Sequence, residues 1–81
     1  MPNPLHDPRY AVFRSLLLEE RERCGLTQVG LAERLNKPQS YVSKYERGER
    51  RIDVVEFLLI MRALGSDPAT TFQRLLKLLS D

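Results

Sequence analysis

The residues from Pro38 to Arg51, PQSYVSKYERGERR, collect hydrogen-bonding and cationic side chains in a pattern suited to recognition rather than to bond-making. Gln39, Ser40, Tyr41, Ser43 and Lys44 crowd the start of a helical stretch, although Ser is a mediocre helix former. Gln offers a donor and an acceptor together, Ser either one, and Lys a donor suited to guanine. Gln39 and Ser43 are four apart, as are Ser40 and Lys44, so they form a polar strip at the helix's N-terminal end. Val42 and Tyr45 are three apart on another face, which the pattern assigns to the core. A polar strip of this kind fits the reading of base edges in a DNA groove.

Other chemistries find little support. The single cysteine, Cys24, excludes an intrachain disulfide and reads as a small residue at a helix end. One Cys and one His, His6, make an unlikely start on the four ligands of a zinc site, so no metal is expected. No Ser/His/Asp or Cys/His set and no glycine-rich phosphate loop is present, and no cofactor or enzymatic activity is expected. Glu19, Glu20 and Glu22 sit among arginines on an amphipathic helix and read as a solvated face. Charge distribution says more than the net +2: the segment from Glu33 to Arg51 carries +3 and the remainder −1. A basic segment on a near-neutral body is the footprint of a phosphate-facing surface. No apolar run approaches the roughly 20 residues of a membrane span, and no basic-then-apolar leader opens the chain. A soluble, cytoplasmic domain without a membrane partner is expected.

The elements that must position these side chains are helical throughout. Residues 1–8, MPNPLHDP, hold three prolines and read as an irregular tail before a single domain over 9–81. A first helix follows from Arg9, with Phe13, Leu16 and Leu17 at helical spacing, Arg21 on the same face, and a stop at Gly25. Thr27 is placed to cap a short second helix with Leu31, Ala32 and Leu35 as its apolar face, and Asn36 to end it. Lys37 precedes a proline and turns the chain; Pro38 opens the third helix, which runs to about Arg47 and stops at Gly48. Asp53 is a plausible cap for a fourth helix carrying Phe57, Ile60, Met61 and Leu64, closed by Gly65. Ser66-Asp67-Pro68 opens a fifth, about 68–79, with Phe72, Leu75, Leu76 and Leu79 along one stripe. The fold class is all-α, with helices two and three (about 27–47) too closely linked for anything but a helix-turn-helix.

The run from Leu26 to Arg50, LTQVGLAERLNKPQSYVSKYERGER, resembles the Cro/C1-type (XRE family) helix-turn-helix of phage repressors and small bacterial regulators. The matching features are Leu26-Thr27-Gln28, Leu31-Ala32, Ser40, Val42-Ser43, Glu46 and Gly48, with Leu64-Gly65 at the end of the fourth helix. The resemblance implies a five-helix, lambda-repressor-like domain whose third helix enters the major groove of double-stranded DNA. It implies that Gln39, Ser40, Ser43 and Lys44 read bases, with Tyr41 flanking them. Gln28 would hold a phosphate and brace the first base-reading residue; Arg47, Arg50 and Arg51 would lie along the phosphate backbone. Arg21 and Glu46 match an Arg and Glu that form a largely buried structural ion pair. A bacterial or phage-encoded protein is implied.

The sequence departs from the family pattern in three places. Pro38 replaces the usual Ser or Thr cap of helix three, and Gly30 replaces a residue that is commonly charged. Leu59 stands where relatives more often place a polar residue. With Leu75, Leu78 and Leu79 of helix five it makes more apolar surface than one core hides, and these four are candidates for a homodimer interface. The competing expectation is that helix five folds back and closes its own core; one side inward and the other to a twin satisfies both. The leading reading is a sequence-specific regulator, a repressor or autoregulator, which reads an inverted repeat as a dimer. With no room for a sensor domain, regulation would come from concentration, a second protein such as a toxin or polymerase subunit, or removal of the chain. Phage repressors, restriction–modification controllers and antitoxins all share these features. The alternative is a protein-interaction module on the same fold, against which the polar strip and the arginines weigh.

Overall fold

The computed structural model describes residues 7–80, and five helices with no strand make up the described residues. Most of the expected tail, His6 included, lies outside them. Its last residue belongs to a helix: α1 spans Pro8–Arg23, with the Asp7 carboxylate accepting the Arg9 N–H and Pro8 in the first turn. The chain leaves α1 through Cys24, whose sulfur lies 3.4 Å from the Ser66 hydroxyl, and Gly25.

Each later boundary has a local cause. In α2 (Gln28–Leu35) the Thr27 side chain accepts the Gly30 N–H at 3.0 Å, and Asn36 ends the helix in the left-handed region at φ 57°. A Cβ at Gly30 would stand 3.3 Å from the Thr27 hydroxyl oxygen, a close approach to the capping side chain. α3 spans Gln39–Glu46, a residue shorter at each end than the pattern indicates. Pro38 stays extended at ψ 155° as a cap with no side-chain bond to offer, and Arg47 is the other cap. α4 (Val54–Leu64) opens with a reciprocal capping box between Asp53 and Glu56. α5 (Pro68–Leu79) opens on the Asp67 carboxylate, which accepts the Ala69 N–H.

The core gathers Leu16 and Leu17 of α1, Leu31 and Ala32 of α2, Val42 and Tyr45 of α3, and Phe57, Ile60, Met61 and Leu64 of α4. α2 packs on α3 and α4, and α1 packs on α3 and α5, so α3 is held between α1 and α2. Tyr45 is wholly buried, and its hydroxyl has no hydrogen-bond partner.

The fifth helix is attached differently from the others. Its only buried residue is Thr71, whose hydroxyl donates to the buried Glu20 carboxylate at 3.4 Å. Glu20, read from sequence as part of a solvated face, is 6% exposed and also accepts from Arg23 at 2.6 Å. Phe72, Leu76, Leu78 and Leu79 of α5 are exposed, as are Val54, Val55, Leu58 and Leu59 of α4. Leu75 is half-buried along an open groove of about 390 Å³ floored by Phe13, Phe57 and Phe72. The apolar stripe of α5 thus faces mainly outward, and closure of the core falls to α4.

Candidate nucleic-acid interface

α3 presents Gln39, Ser40 and Lys44 to solvent, while Tyr41 and Ser43 are half-buried at the edge of the same surface. Eight residues make the helix roughly 12 Å long at about 1.5 Å per residue. Its buried residues, Val42 and Tyr45, fix which side turns outward.

Beneath the first of these side chains runs a hydrogen-bonded line into the core. Arg21 of α1 and Glu46 of α3 form a bidentate pair, Nε to Oε2 at 2.7 Å and Nη2 to Oε1 at 3.1 Å, with the side chains 12% and 5% exposed. The remaining Arg21 nitrogen donates to the Leu26 carbonyl at 2.7 Å, where the chain enters α2. Hydrogen bonding to Glu46 raises the Arg21 pKa further above its ordinary value, despite burial. The Gln28 amide donates to Glu46 Oε1 at 2.8 Å, and the Gln39 amide donates to Gln28 Oε1 at 3.1 Å. Four residues from three helices are therefore connected, ending at the exposed amide of Gln39. Removing either member of so buried a pair costs about 3–5 kcal/mol, because the survivor is left unpaired.

A second cluster forms where α3 meets the loop into α4. The Tyr41 hydroxyl donates to Glu56 Oε2 at 3.0 Å, and the Arg50 guanidinium pairs with the same oxygen at 2.8 Å. Arg50 also lies over the Tyr41 ring, 4.8 Å from its centre, with the Lys37 ammonium 5.4 Å from the same centre. Burial, aided by the Glu56 carboxylate, pushes the Tyr41 phenol up to about 12. Desolvation works to raise the Glu56 carboxyl, but the hydrogen bonds it accepts from Arg50, the Asp53 N–H and the Tyr41 hydroxyl, with the Arg50 charge, hold it below the ordinary range.

The loop's other arginines have partners of their own. Arg51 is exposed and lies 5.8 Å from the centre of the Tyr10 ring; the Tyr10 hydroxyl accepts the Ile52 N–H at 2.8 Å. Arg47 is exposed and pairs with Glu49 at 2.8 Å, a contact weakened by solvent. From α1, Arg14 donates to the Glu46 carbonyl at 3.0 Å and closes the C-terminal end of α3. Its guanidinium packs on Gly48, where a Cβ would stand 2.9 Å from the Arg14 Cζ.

Among the residues named from sequence, the structure brings Arg21, Gln28, Gln39 and Glu46 into one network and Tyr41 and Arg50 into another. Leu59, Leu78 and Leu79 stand apart from both on exposed apolar surface. Tyr10, Arg14 and Glu56 were missed. The Asp53-x-x-Glu56 spacing carried a capping signal, but the contacts of Tyr10 with Ile52 and of Arg14 with Glu46 bridge 42 and 32 residues and left no local trace. Among the described residues no group of potential metal ligands occurs, and no helix is long and apolar enough to cross a membrane.

A family model described as helix-turn-helix matches residues 17–71. No curated protein sequence matches the chain. Among solved structures, an XRE-family like protein from Pseudomonas syringae pv. tomato str. DC3000 is 45% identical, with 93% of this chain and 92% of that one covered and a TM-score of 0.86. The restriction–modification controller protein C.Esp1396I, as a mutant, is 26% identical over 93% of this chain and 98% of its own, with a TM-score of 0.80. The same controller, as a tetramer in complex with its natural 35 base-pair operator, gives 26% identity over 89% and 95% of the two chains, with a TM-score of 0.79.

Proposed function

This chain belongs to the XRE family of helix-turn-helix proteins, and on that premise we propose that it is a transcriptional regulator, a repressor or autoregulator, that binds double-stranded DNA sequence-specifically as a homodimer. The observation that carries the reading is the exposed strip of Gln39, Ser40 and Lys44, with Gln39 braced through Gln28 onto the buried Arg21–Glu46 pair. A base-reading amide needs a fixed direction, and that network supplies one without closing its free face. Arg47 and Arg51, exposed on the loop after α3, serve as phosphate contacts, which set register without specifying sequence, while the neighbouring Arg50 has its charge engaged by Glu56. The controller relative, solved as a tetramer on its operator, supports carrying DNA binding and oligomerisation to this chain.

The dimer reading rests on the outward apolar face of α5 and α4. Leu59, Leu78 and Leu79 are 49%, 57% and 40% exposed, and a patch of this kind marks an interface. Paired third helices would then meet two half-sites about 34 Å apart.

The test is selection of the purified protein against a random duplex pool at about 150 mM salt, followed by sequencing. An inverted repeat with half-sites about 10 base pairs apart, centre to centre, is the expected product. A pool that emerges without enrichment would overturn the reading and leave the apolar face and α3 as surfaces for another protein.

A further inference from the structure

We propose that Glu56 is a specificity-determining positioning residue, which withholds the charge of Arg50 from indiscriminate phosphate attraction and fixes Tyr41 at the edge of the α3 strip; the inference rests on the DNA-binding reading above. One carboxylate serves three elements. Glu56 Oε1 accepts the Asp53 N–H at 3.0 Å at the start of α4. Glu56 Oε2 accepts the Tyr41 hydroxyl of α3 at 3.0 Å and pairs with Arg50 of the intervening loop at 2.8 Å.

The capping box accounts for only half of this. A reciprocal cap needs one acceptor oxygen on the third helical residue, and Oε1 supplies it. The second oxygen does nothing for the cap. It gathers one residue from the α3 surface and one cation from the phosphate-side loop, and the guanidinium is stacked on the ring that the same oxygen holds. The Glu56 side chain is 21% exposed and that of Arg50 42%, so the pair is shielded more than a freely solvated one.

Two consequences follow. A guanidinium neutralised at 2.8 Å contributes less to the sequence-independent attraction that dominates binding to any duplex. A Tyr41 held by ring and hydroxyl presents one edge beside Gln39 and Ser40 rather than sampling several. Glu56 thus lowers binding to all DNA while sharpening the choice among sequences.

The experiment compares wild type with Glu56→Gln, which is nearly isosteric, keeps an oxygen for the Asp53 N–H and removes the charge. Binding to the selected duplex and to a scrambled one is measured between about 50 and 200 mM salt. Glu56→Gln should bind the scrambled duplex roughly fivefold more tightly, with a salt slope steeper by about 0.9, as one further phosphate contact gives. The ratio of selected to scrambled affinity should fall several-fold. Adding Arg50→Met to Glu56→Gln should abolish the gain on scrambled DNA. Asp53→Ala serves as the control for the cap alone: it should lower Tm and leave slope and ratio at wild-type values. A Glu56→Gln protein that loses Tm but keeps the wild-type slope and ratio behaves as a lost cap, and overturns the proposal. Wild-type protein that fails to distinguish the two duplexes overturns both this proposal and the function beneath it, and shows itself before any variant is made.

Discussion

Gln39 differs from Ser40 and Lys44, which stand exposed beside it, in having a bonded support behind it. Gln39→Ala and Lys44→Ala should each weaken binding to the selected sequence by about 1–3 kcal/mol and relax preference at the base they face. Arg51→Ala should instead weaken selected and scrambled duplexes alike and flatten the salt slope by about 0.9. Arg51 is the cleaner choice for that test than Arg50, whose charge is already engaged by Glu56. Fluorescence titrations at two salt concentrations read all three. A pH effect belongs to the tyrosines. Burial raises the Tyr41 phenol to about 12, and raises that of Tyr45 beyond it. A group whose pKa is raised by folding lends stability that is complete below its unfolded value, about 10, and is lost as pH rises through the folded one. Urea unfolding should therefore show stability level up to about pH 10 and falling toward pH 12, with phenolate absorbance from these residues appearing late. Side-chain types made the polar strip legible in the sequence. What they did not carry was engagement: the Tyr41 hydroxyl and Arg50 are each held by a glutamate one element away, a fact of tertiary placement.

At the level of elements, the helices were readable because their ends are local events. Thr27, Asn36, Asp53, Gly65 and Asp67 act within three or four residues of themselves, and the apolar repeat of each segment announces one face. The loop from Arg47 to Asp53 was not readable, since what shapes it comes from α1: Tyr10 at Ile52, and Arg14 at the Glu46 carbonyl. Gly48 is where the loop turns. At φ +81° it occupies a region L side chains rarely adopt, and the Arg14 guanidinium fills the space a methyl group would need. Gly48→Ala should cost about 1–3 kcal/mol in urea or thermal unfolding. Because the displaced neighbour also closes the end of α3, specific DNA binding should weaken with it. The fifth helix shows the limit of periodicity itself. Phe72, Leu75, Leu76 and Leu79 do form a stripe, but a stripe says only that something covers it, and within one chain Thr71 is the residue that α5 buries.

For the molecule as a whole, that uncovered face predicts self-association. Leu78→Glu and Leu79→Glu should leave the helical content intact, because both side chains are exposed in the single chain. They should shift sedimentation equilibrium toward the monomer and reduce affinity for the two-half-site duplex far more than for a single half-site. Variants that stay associated would move the interface elsewhere on the surface. The line from Arg21 through Glu46 and Gln28 to Gln39 has a bearing on how such a protein diverges after its gene is duplicated. A copy seeking a new target is free to vary Ser40 and Lys44, which stand exposed on α3. It is not free in the same way at Gln39, because a replacement there removes the bond that Gln28 Oε1 accepts and with it the support that orients the first residue of the strip. The family tree of such copies should therefore show drift concentrated at the unsupported positions, with Gln39 changing seldom, and then in company with Gln28.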